Sequence, residues 1–416
     1  MPFDRAIEFP TRLSVDEARS RIVELCRQRR VAVDDIPLDR ALDRVLAVDI
    51  TAPHAIPPFV NSAMDGYAVR GVDLPREGEK NFRMIGVMLA GNGAELRIGR
   101  DECVRITTGA PIPVGADTVV MKERVRVEND AIIVAAGETA GANVRPAGED
   151  LAAGDCAAHA GEALRAARLG LLASCGLTQV PVARRPRVAL LVTGDELVPP
   201  GEPLGFGQIH DSNRYSLGGL LEGIGIVPHP VAHVRDDAGA LRETLIAAAE
   251  TCDIVITSGG VSAGEADHMP HLVAELGTIH FWKVRMKPGM PFLCGEIGKA
   301  LVFALPGNPV SSLATFLALV KPGLIAMQGA SVSRRRWRAQ LAAPIHKKHD
   351  RSEFLRARLE CSDDGQLRVT AVERQGSGML GGVAEADCLI VVPEDVRDCA
   401  EGDVVDVLLL PGWAEA

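Results

Sequence analysis

Aromatic side chains are scarce in this 416-residue chain, 4% in all, and basic residues do not outnumber acidic ones: 45 Lys and Arg stand against 55 Asp and Glu, a formal net charge of −10. Nucleic-acid surfaces rest on clustered cations and on rings that stack bases, so both shortages argue against one. An anionic ligand is expected to be held locally, by a few Lys or Arg focused in one cleft. Metal-type cysteine spacing is missing as well. The nine cysteines (Cys26, Cys103, Cys156, Cys175, Cys252, Cys294, Cys361, Cys388, Cys399) are scattered, odd in number and never spaced CxxC. That pattern reads as reduced cytosolic thiols and argues against structural zinc or a disulfide framework. The opening MPFDRAIEFP has acids and prolines where a signal peptide has a basic and then an apolar stretch, and no uninterrupted apolar run approaches membrane-spanning length. The expectation is a cytoplasmic protein without membrane contact.

What is present is an ordinary globular composition, 47% apolar and 24% charged, long enough for three or four domains. Ser14 and Glu17 form a capping box ahead of Val15, Ala18, Ile22 and Leu25 at helical spacing, which predicts a first helix ending near Arg30. Short β-like runs broken by Gly and Pro follow, and a second helix carries Leu164, Ala167, Leu171, Leu172 and Cys175, closed by Gly176. The second helix is expected to pack on the first, leaving the β-rich part as an insertion. After a linker at Pro181–Pro186, strands and helices alternate, which predicts an α/β domain with a mostly parallel sheet. A basic stretch, Arg334, Arg335, Arg336 and Arg338, reads as a solvated hinge, and the remaining β-like runs suggest a small β-domain resembling a barrel. The expected domains are 1–50 with 147–182, helical and mixed; 51–146, inserted and β-rich; 183–330, α/β; and 331–416, the C-terminal β-domain.

Within the α/β domain, successive strands end in irregular Gly/Pro-rich turns: SGGVSAGEAD, KPGMP and LPGNPVSS. Ligands of a parallel sheet settle outside the carboxyl ends of its strands, where turn N–H groups and helix N-termini point outward. Gly194 in TGDEL lets a backbone approach a phosphate, and Asp195 or Glu196 could bind a bridging cation; a tight turn capped by Asp195 is the competing explanation. In DSNR, Ser212 or Asn213 is read as a helix N-cap. In RDD, Asp236 and Asp237 offer one carboxylate for capping and one for a ligand. Gly259, Gly260, Ser262 and Gly264 allow N–H groups to curve around an anion, with Glu265 and Asp267 as metal ligands or caps. Strand alternation places Lys283, Arg285 and Lys287 on one side, and the rigid turn after them suits aiming an ammonium at an oxyanion. Pro306 and Pro309 bracket a turn into a helix N-terminus. Asp65 in NSAMDGYAV and Thr108 in TTGAP read either as turns or as a second anion-accepting pair.

NSAMDGYAV, RITTGAPIPVGADTVVMKE, NVRPAGEDL, TGDEL, DSNR, RDD, SGGVSAGEADH, KPGMPF and LPGNPVSS, in this order and spacing, resemble the molybdopterin molybdenumtransferase family, which includes the E domain of gephyrin. The resemblance spans nearly the whole chain. It implies a molybdopterin-binding type of α/β domain and insertion of molybdate into adenylylated molybdopterin, with Mg2+ or Zn2+, releasing AMP and molybdenum cofactor. It implies Asp65, Thr108, Glu196, Asp236, Asp267, Lys283 and Lys287 as catalytic residues, with Glu196, Asp236 and Asp267 at the metal. It also places Asp150, Pro306, Pro309 and Ser377 at the substrate, to which the turns read above add Gly194, Ser262 and Gly264. A homodimer with a shared cleft is implied, with molybdopterin adenylyltransferase and molybdoenzyme apoproteins as further partners. Met290 stands where the family often has a basic residue after KPG, and His268 where Tyr is frequent. The alternatives are a molybdopterin adenylyltransferase, which resembles only the α/β part, or a gephyrin-like scaffold.

Overall fold

The structure, a computed structural model, describes residues 9–91, 95–261, 268–331, 337–363 and 365–411. Ser262, Gly264, Glu265 and Asp267, together with Arg334, Arg335 and Arg336, lie outside the described residues.

The centre is a seven-stranded sheet in the order Thr11–Leu13, Thr278–Val284, Leu293–Ile297, Ala300–Leu305, Ile254–Ser258, Val188–Thr193, Val231–Val234. Leu293–Ile297 runs antiparallel to both its neighbours, and the remaining pairings are parallel. Strand periodicity explains how both faces are buried. Val188, Leu190, Ile254 and Ile256 face one apolar core, and Ala189, Leu191 and Val255 face the other. The first core is covered by Val15–Gln28, Asn213–Glu222 and the long helix from Pro309; the second is covered by Ala238–Thr251 and Met269–Leu276. From Val188–Thr193 the chain crosses to one neighbour, Val231–Val234, and then returns to the other, Ile254–Ser258. That reversal makes the carboxyl ends of these strands a topological switch point, where α/β sheets hold ligands.

Pro309–Met327 is long and apolar enough to cross a membrane, but 83% of it is buried as a core helix. Its middle, Phe316–Val320, widens into a π-turn just before Pro322. Proline lacks an N–H and crowds the carbonyl four residues back, and the wider turn accommodates both effects.

The first helix departs from expectation. The capping box at Ser14 and Glu17 forms as predicted, but Val15–Gln28 packs on Lys321–Met327 and not on Ala166–Ser174. A Cβ at Gly323 would lie 2.7 Å from Ile22 Cγ2 and 2.9 Å from Cys26 Sγ, so glycine sets this close approach. Thr11–Leu13 joins the edge of the central sheet as well. An apolar helix face identifies that a partner exists but not which one. Ala166–Ser174 packs with the pairs Val33–Pro37/Gln179–Ala183 and Ile50–Thr51/Cys156–Ala158.

Between those pieces lies a six-stranded sheet in the order Thr118–Met121, Gly66–Val69, Glu102–Ile106, Glu79–Met88, Ala131–Ala135, Val125–Glu128. At the C-terminal end, Ser352–Cys361, Leu367–Ala371, Trp337–Leu341, Val404–Leu409 and Cys388–Val392 close into a five-stranded barrel, because Ser352–Cys361 also pairs with Cys388–Val392. Met286–Lys287 adds to the barrel through Ser352–Cys361 and ties it to the central unit. Arg356 is fully buried there; its Nε and Nη2 donate to the Arg374 carbonyl at 2.9 and 2.6 Å, and Nη2 donates to the Gly376 carbonyl at 3.2 Å. These bonds hold the loop that carries Ser377. Arg356→Met is expected to cost about 2–4 kcal/mol, since charged-group hydrogen bonds vanish and two carbonyls stay desolvated. Urea denaturation checks this, with a lower midpoint at unchanged slope as the expected outcome.

Candidate active site

Three strand ends meet at the switch point. Gly259 has φ +106°, and a Cβ on it would sit 2.6 Å from both the carbonyl oxygen and Oγ1 of Thr193. Gly307 lies within van der Waals reach of the Gly259 Cα, 3.6 Å from where its own Cβ would be. Glycine is thus what lets the turns after Thr193, Ser258 and Leu305 converge. Asn213 projects into this junction and donates from Nδ2 to Ser258 Oγ at 2.9 Å and to the Gly307 carbonyl at 2.6 Å. Asn213 Oδ1 and Thr193 Oγ1 are buried with no hydrogen-bond partner among the described residues. Buried polar atoms of this kind normally have partners, so two at one strand-end junction mark where a polar ligand fits.

Beside the junction stand Asp195, Glu196 and Asp236. Asp237 serves as the cap, accepting from Ala240 N–H at 2.8 Å, which leaves Asp236 free of that role. Burial, and then repulsion from Glu196 and Asp195, push the Asp236 carboxyl above its ordinary range, while a bond from the Asp195 backbone N–H and then the His268 imidazole pull the other way. Asp236 N–H donates to Asp195 Oδ1 at 3.2 Å. The Glu196 carboxylate folds back over Gly194, where a Cβ would meet it at 2.7 Å; Gly194 has φ +148°. His233 Nε2 lies 2.8 Å from the Gly194 carbonyl and steadies the turn. Crowded oxygen ligands of like charge suit a hard divalent cation.

Lys283 reaches the same edge through its neighbour: Trp282 Nε1 donates to the Val261 carbonyl at 3.2 Å, and Lys283 Nζ lies over the indole, 4.4 Å from its centroid. Lys283 has φ +66°, a left-handed conformation costly for a side-chain-bearing residue and frequent at functional sites. Among the described residues no carboxylate lies within ion-pair distance of its ammonium. This left-handed residue also breaks the expected alternation. Arg285 pairs with Glu394 at 2.8 Å and Lys287 with Glu353 at 3.0 Å, so the three cations do not share one target. Met290 Sδ lies 4.0 Å from Arg351 Nη1, so a guanidinium already stands at that corner. Pro306 and Pro309 flank the junction: the Pro306 carbonyl accepts from Ser258 Oγ and Ser312 Oγ, and Ser377 accepts from Val310 N–H at 3.2 Å.

Asp65 and Thr108 meet on the six-stranded sheet, away from this junction. Asp65 Oδ1 accepts from Thr108 N–H at 2.9 Å and Oγ1–H at 3.1 Å, and Oδ2 lies 3.3 Å from Lys122 Nζ. The Thr108 bonds, and then Lys122, hold the Asp65 carboxyl below its ordinary range. Asp150 is exposed on a turn whose N–H bonds the Ile56 carbonyl. Sequence reasoning overlooked Thr193, Ser258 and Trp282, and it read Ser212 or Asn213 as the cap; Ser212 holds the N-cap position, but its side chain makes no cap bond. The cap contact comes instead from Asp211, whose Oδ1 accepts from Arg214 N–H at 3.0 Å.

A doubly covered α/β sheet with carboxylates and orphaned polar atoms at its switch point is the arrangement of a ligand-binding α/β protein. The regions described as MoeA N-terminal region (domain I and II), probable molybdopterin binding domain, and MoeA C-terminal region (domain IV) match residues 13–176, 189–326 and 338–410. The chain is 36% identical over 402 residues to the molybdopterin molybdenumtransferase of Haemophilus influenzae, covering 95% of this chain and 98% of that protein. It is 30% identical to the gephyrin of Dictyostelium discoideum, covering 95% of this chain and 62% of that one. The crystal structure of the molybdopterin biosynthesis moeA protein from Pyrococcus horikoshii aligns with TM-score 0.82 at 30% identity, covering 96% of this chain and 100% of that one. The chain belongs to the molybdopterin molybdenumtransferase family, transferases of molybdenum cofactor biosynthesis.

Proposed function

We propose that the protein inserts molybdate into adenylylated molybdopterin and releases AMP and molybdenum cofactor, in a reaction that needs Mg2+ or Zn2+. The observation that carries this reading is the convergence of Asp195, Glu196 and Asp236 with the orphaned Thr193 Oγ1 and Asn213 Oδ1 at one strand-end junction. The donor set fits a hard cation. Mg2+ suits such a set, since it takes one or two carboxylates and leaves its other positions to phosphate oxygens and water. Glu196 and Asp236 would hold it, with Asp267 as the third candidate. A bound cation neutralises the charge that builds on a phosphate as AMP leaves.

The chain's own residues do the rest. Thr193 and Asn213 offer polar atoms to the nucleotide end, and the glycines after Ser258 admit a phosphate against the backbone. Gly194 does the same beneath Glu196, and Pro306, Pro309 and Ser377 border the junction. Lys283 supplies point charge for a tetrahedral oxyanion; Lys287 contributes less, because Glu353 offsets its charge. Asp65, Thr108 and Asp150 have no role inside one subunit's junction, which supports a homodimer in which the partner presents them. The reading also implies a cytoplasmic enzyme that takes its substrate from an adenylyltransferase and passes product to apoenzymes.

The test offers purified protein three mixtures: adenylylated molybdopterin with molybdate and Mg2+, molybdopterin with ATP, and adenylylated molybdopterin with Mg2+ alone. AMP release that requires molybdate is the expected outcome. ATP consumption would assign the adenylyltransferase reaction instead, and silence in all three would leave a scaffold.

A further inference from the structure

A second cluster of ligand-type side chains lies far along the chain from the strand-end junction. Ile50–Thr51 pairs antiparallel with Cys156–Ala158, and the ladder slips between Cys156 and Ala158. In a regular strand, residues three apart face opposite sides; the irregularity re-aims one of them. The result is that Cys156 and His159, spaced Cys-Ala-Ala-His, point the same way. Cys156 Sγ lies 3.3 Å from His159 Nδ1. Asp49, just ahead of the partner strand, brings Oδ1 to 3.9 Å from the same nitrogen. That oxygen is itself oriented by the Ala160 N–H, at 2.7 Å. The three ligand atoms all lie within 4.8 Å of one another, and all three residues are exposed.

Two chemistries use this trio of residue types. In a nucleophile with its base and orienting acid, the two imidazole nitrogens divide the work, one facing the nucleophile and the other the acid. Here one nitrogen, Nδ1, faces both partners, so a relay through the ring is not built. A chelate needs the opposite arrangement, with single atoms converging on one point. For a tetrahedral ion with bond lengths of about 2.3 Å to sulfur and about 2.0 Å to nitrogen or oxygen, ligand atoms stand roughly 3.3–3.6 Å apart. The observed 3.3 and 3.9 Å bracket that spacing.

We propose that Asp49, Cys156 and His159 form a binding site for a borderline divalent transition metal such as Zn2+ or Co2+, separate from the site at the strand-end junction and with a fourth position open to solvent. A sulfur and an imidazole ligand select such ions over Mg2+. Ligation replaces the Cys156 thiol proton, which passes to solvent.

Titrating chelator-stripped full-length protein with Co2+ tests this directly, since thiolate-to-cobalt charge transfer gives an ultraviolet band that oxygen ligands alone do not produce. One equivalent of Co2+ should saturate the band. Cys156→Ala should abolish it, and Cys361→Ala, at the other exposed cysteine, should leave it intact. Loss of a hydrogen-bonding partner behind a ligand already weakens metal sites about 10-fold or more, so His159→Ala and Asp49→Asn should each raise the dissociation constant at least about 10-fold. Asn keeps an acceptor for Ala160 N–H, so its effect reports lost ligation. A band that persists in Cys156→Ala, or no saturable band in the unaltered protein, overturns the proposal. Neither result depends on molybdate insertion, so this site and the proposed activity stand or fall separately.

Discussion

Asp236→Asn is expected to lower metal-dependent AMP release at least about 100-fold, in the range seen when one electrostatic contributor leaves an active site, while making the fold slightly more stable at neutral pH. The two effects share a cause. Burial and the neighbouring Glu196 and Asp195 raise the Asp236 carboxyl above its ordinary value of 3.8. An acid whose folded value is raised holds its proton more tightly folded than unfolded, so its ionised form costs stability at every pH above the folded value. That cost fades as pH falls and is gone below 3.8. Asparagine removes the charge, so the gain should be present at neutral pH and absent in acid. Solvent screens a partly exposed group, which keeps the gain under about 1 kcal/mol. Thermal melts across pH, paired with Mg2+ titrations of AMP release, read both quantities. If the variant were active but less stable, Asp236 would be a structural carboxylate and the metal assignment would lose its best-supported member.

Gly259→Ala should cost about 2–4 kcal/mol, combining left-handed strain with overlap that the neighbours cannot relieve. The added Cβ would sit 2.6 Å from the Thr193 carbonyl oxygen and from its Oγ1, at φ +106°. Thr193 cannot retreat, because its strand is held on both sides by Val231–Val234 and Ile254–Ser258. Gly260→Ala is the informative control: its φ is +64° and its nearest contact 3.4 Å, from Met269 Cγ. Only the left-handed penalty of about 1–2 kcal/mol then applies. Urea midpoints for the two variants should differ clearly, and AMP release should fall with Gly259→Ala in protein that is still folded. Equal midpoints would mean that the strand ends are not packed against each other as described.

Local signals carried much of the architecture. The capping box at Ser14, the alternation of strands and helices from Val188, and the Gly/Pro punctuation of the strand ends all act within a few residues, so the sequence displays them. The carboxylate roles in Arg235-Asp236-Asp237 were legible for the same reason, one capping and one free. Asn213 was not. Its position at the start of a helix suggests capping, and only the fold reveals that its amide points at Ser258 and Gly307, 45 and 94 residues away. The lysines misled in a different way. Period-two reasoning put Lys283, Arg285 and Lys287 on one side, but it takes no account of a left-handed residue in the run or of Glu394 and Glu353 arriving from the barrel.

The sequence alone determined the kinds of element, their order and the residue types at the strand ends, because propensity, capping and turn chemistry are properties of neighbours in the chain. The tertiary structure decided which apolar faces meet, which cations are offset by distant carboxylates, and where a strand irregularity turns Cys156 and His159 toward Asp49. These are matters of packing between segments far apart in sequence, and burial fixes them only once the whole chain has closed around its cores.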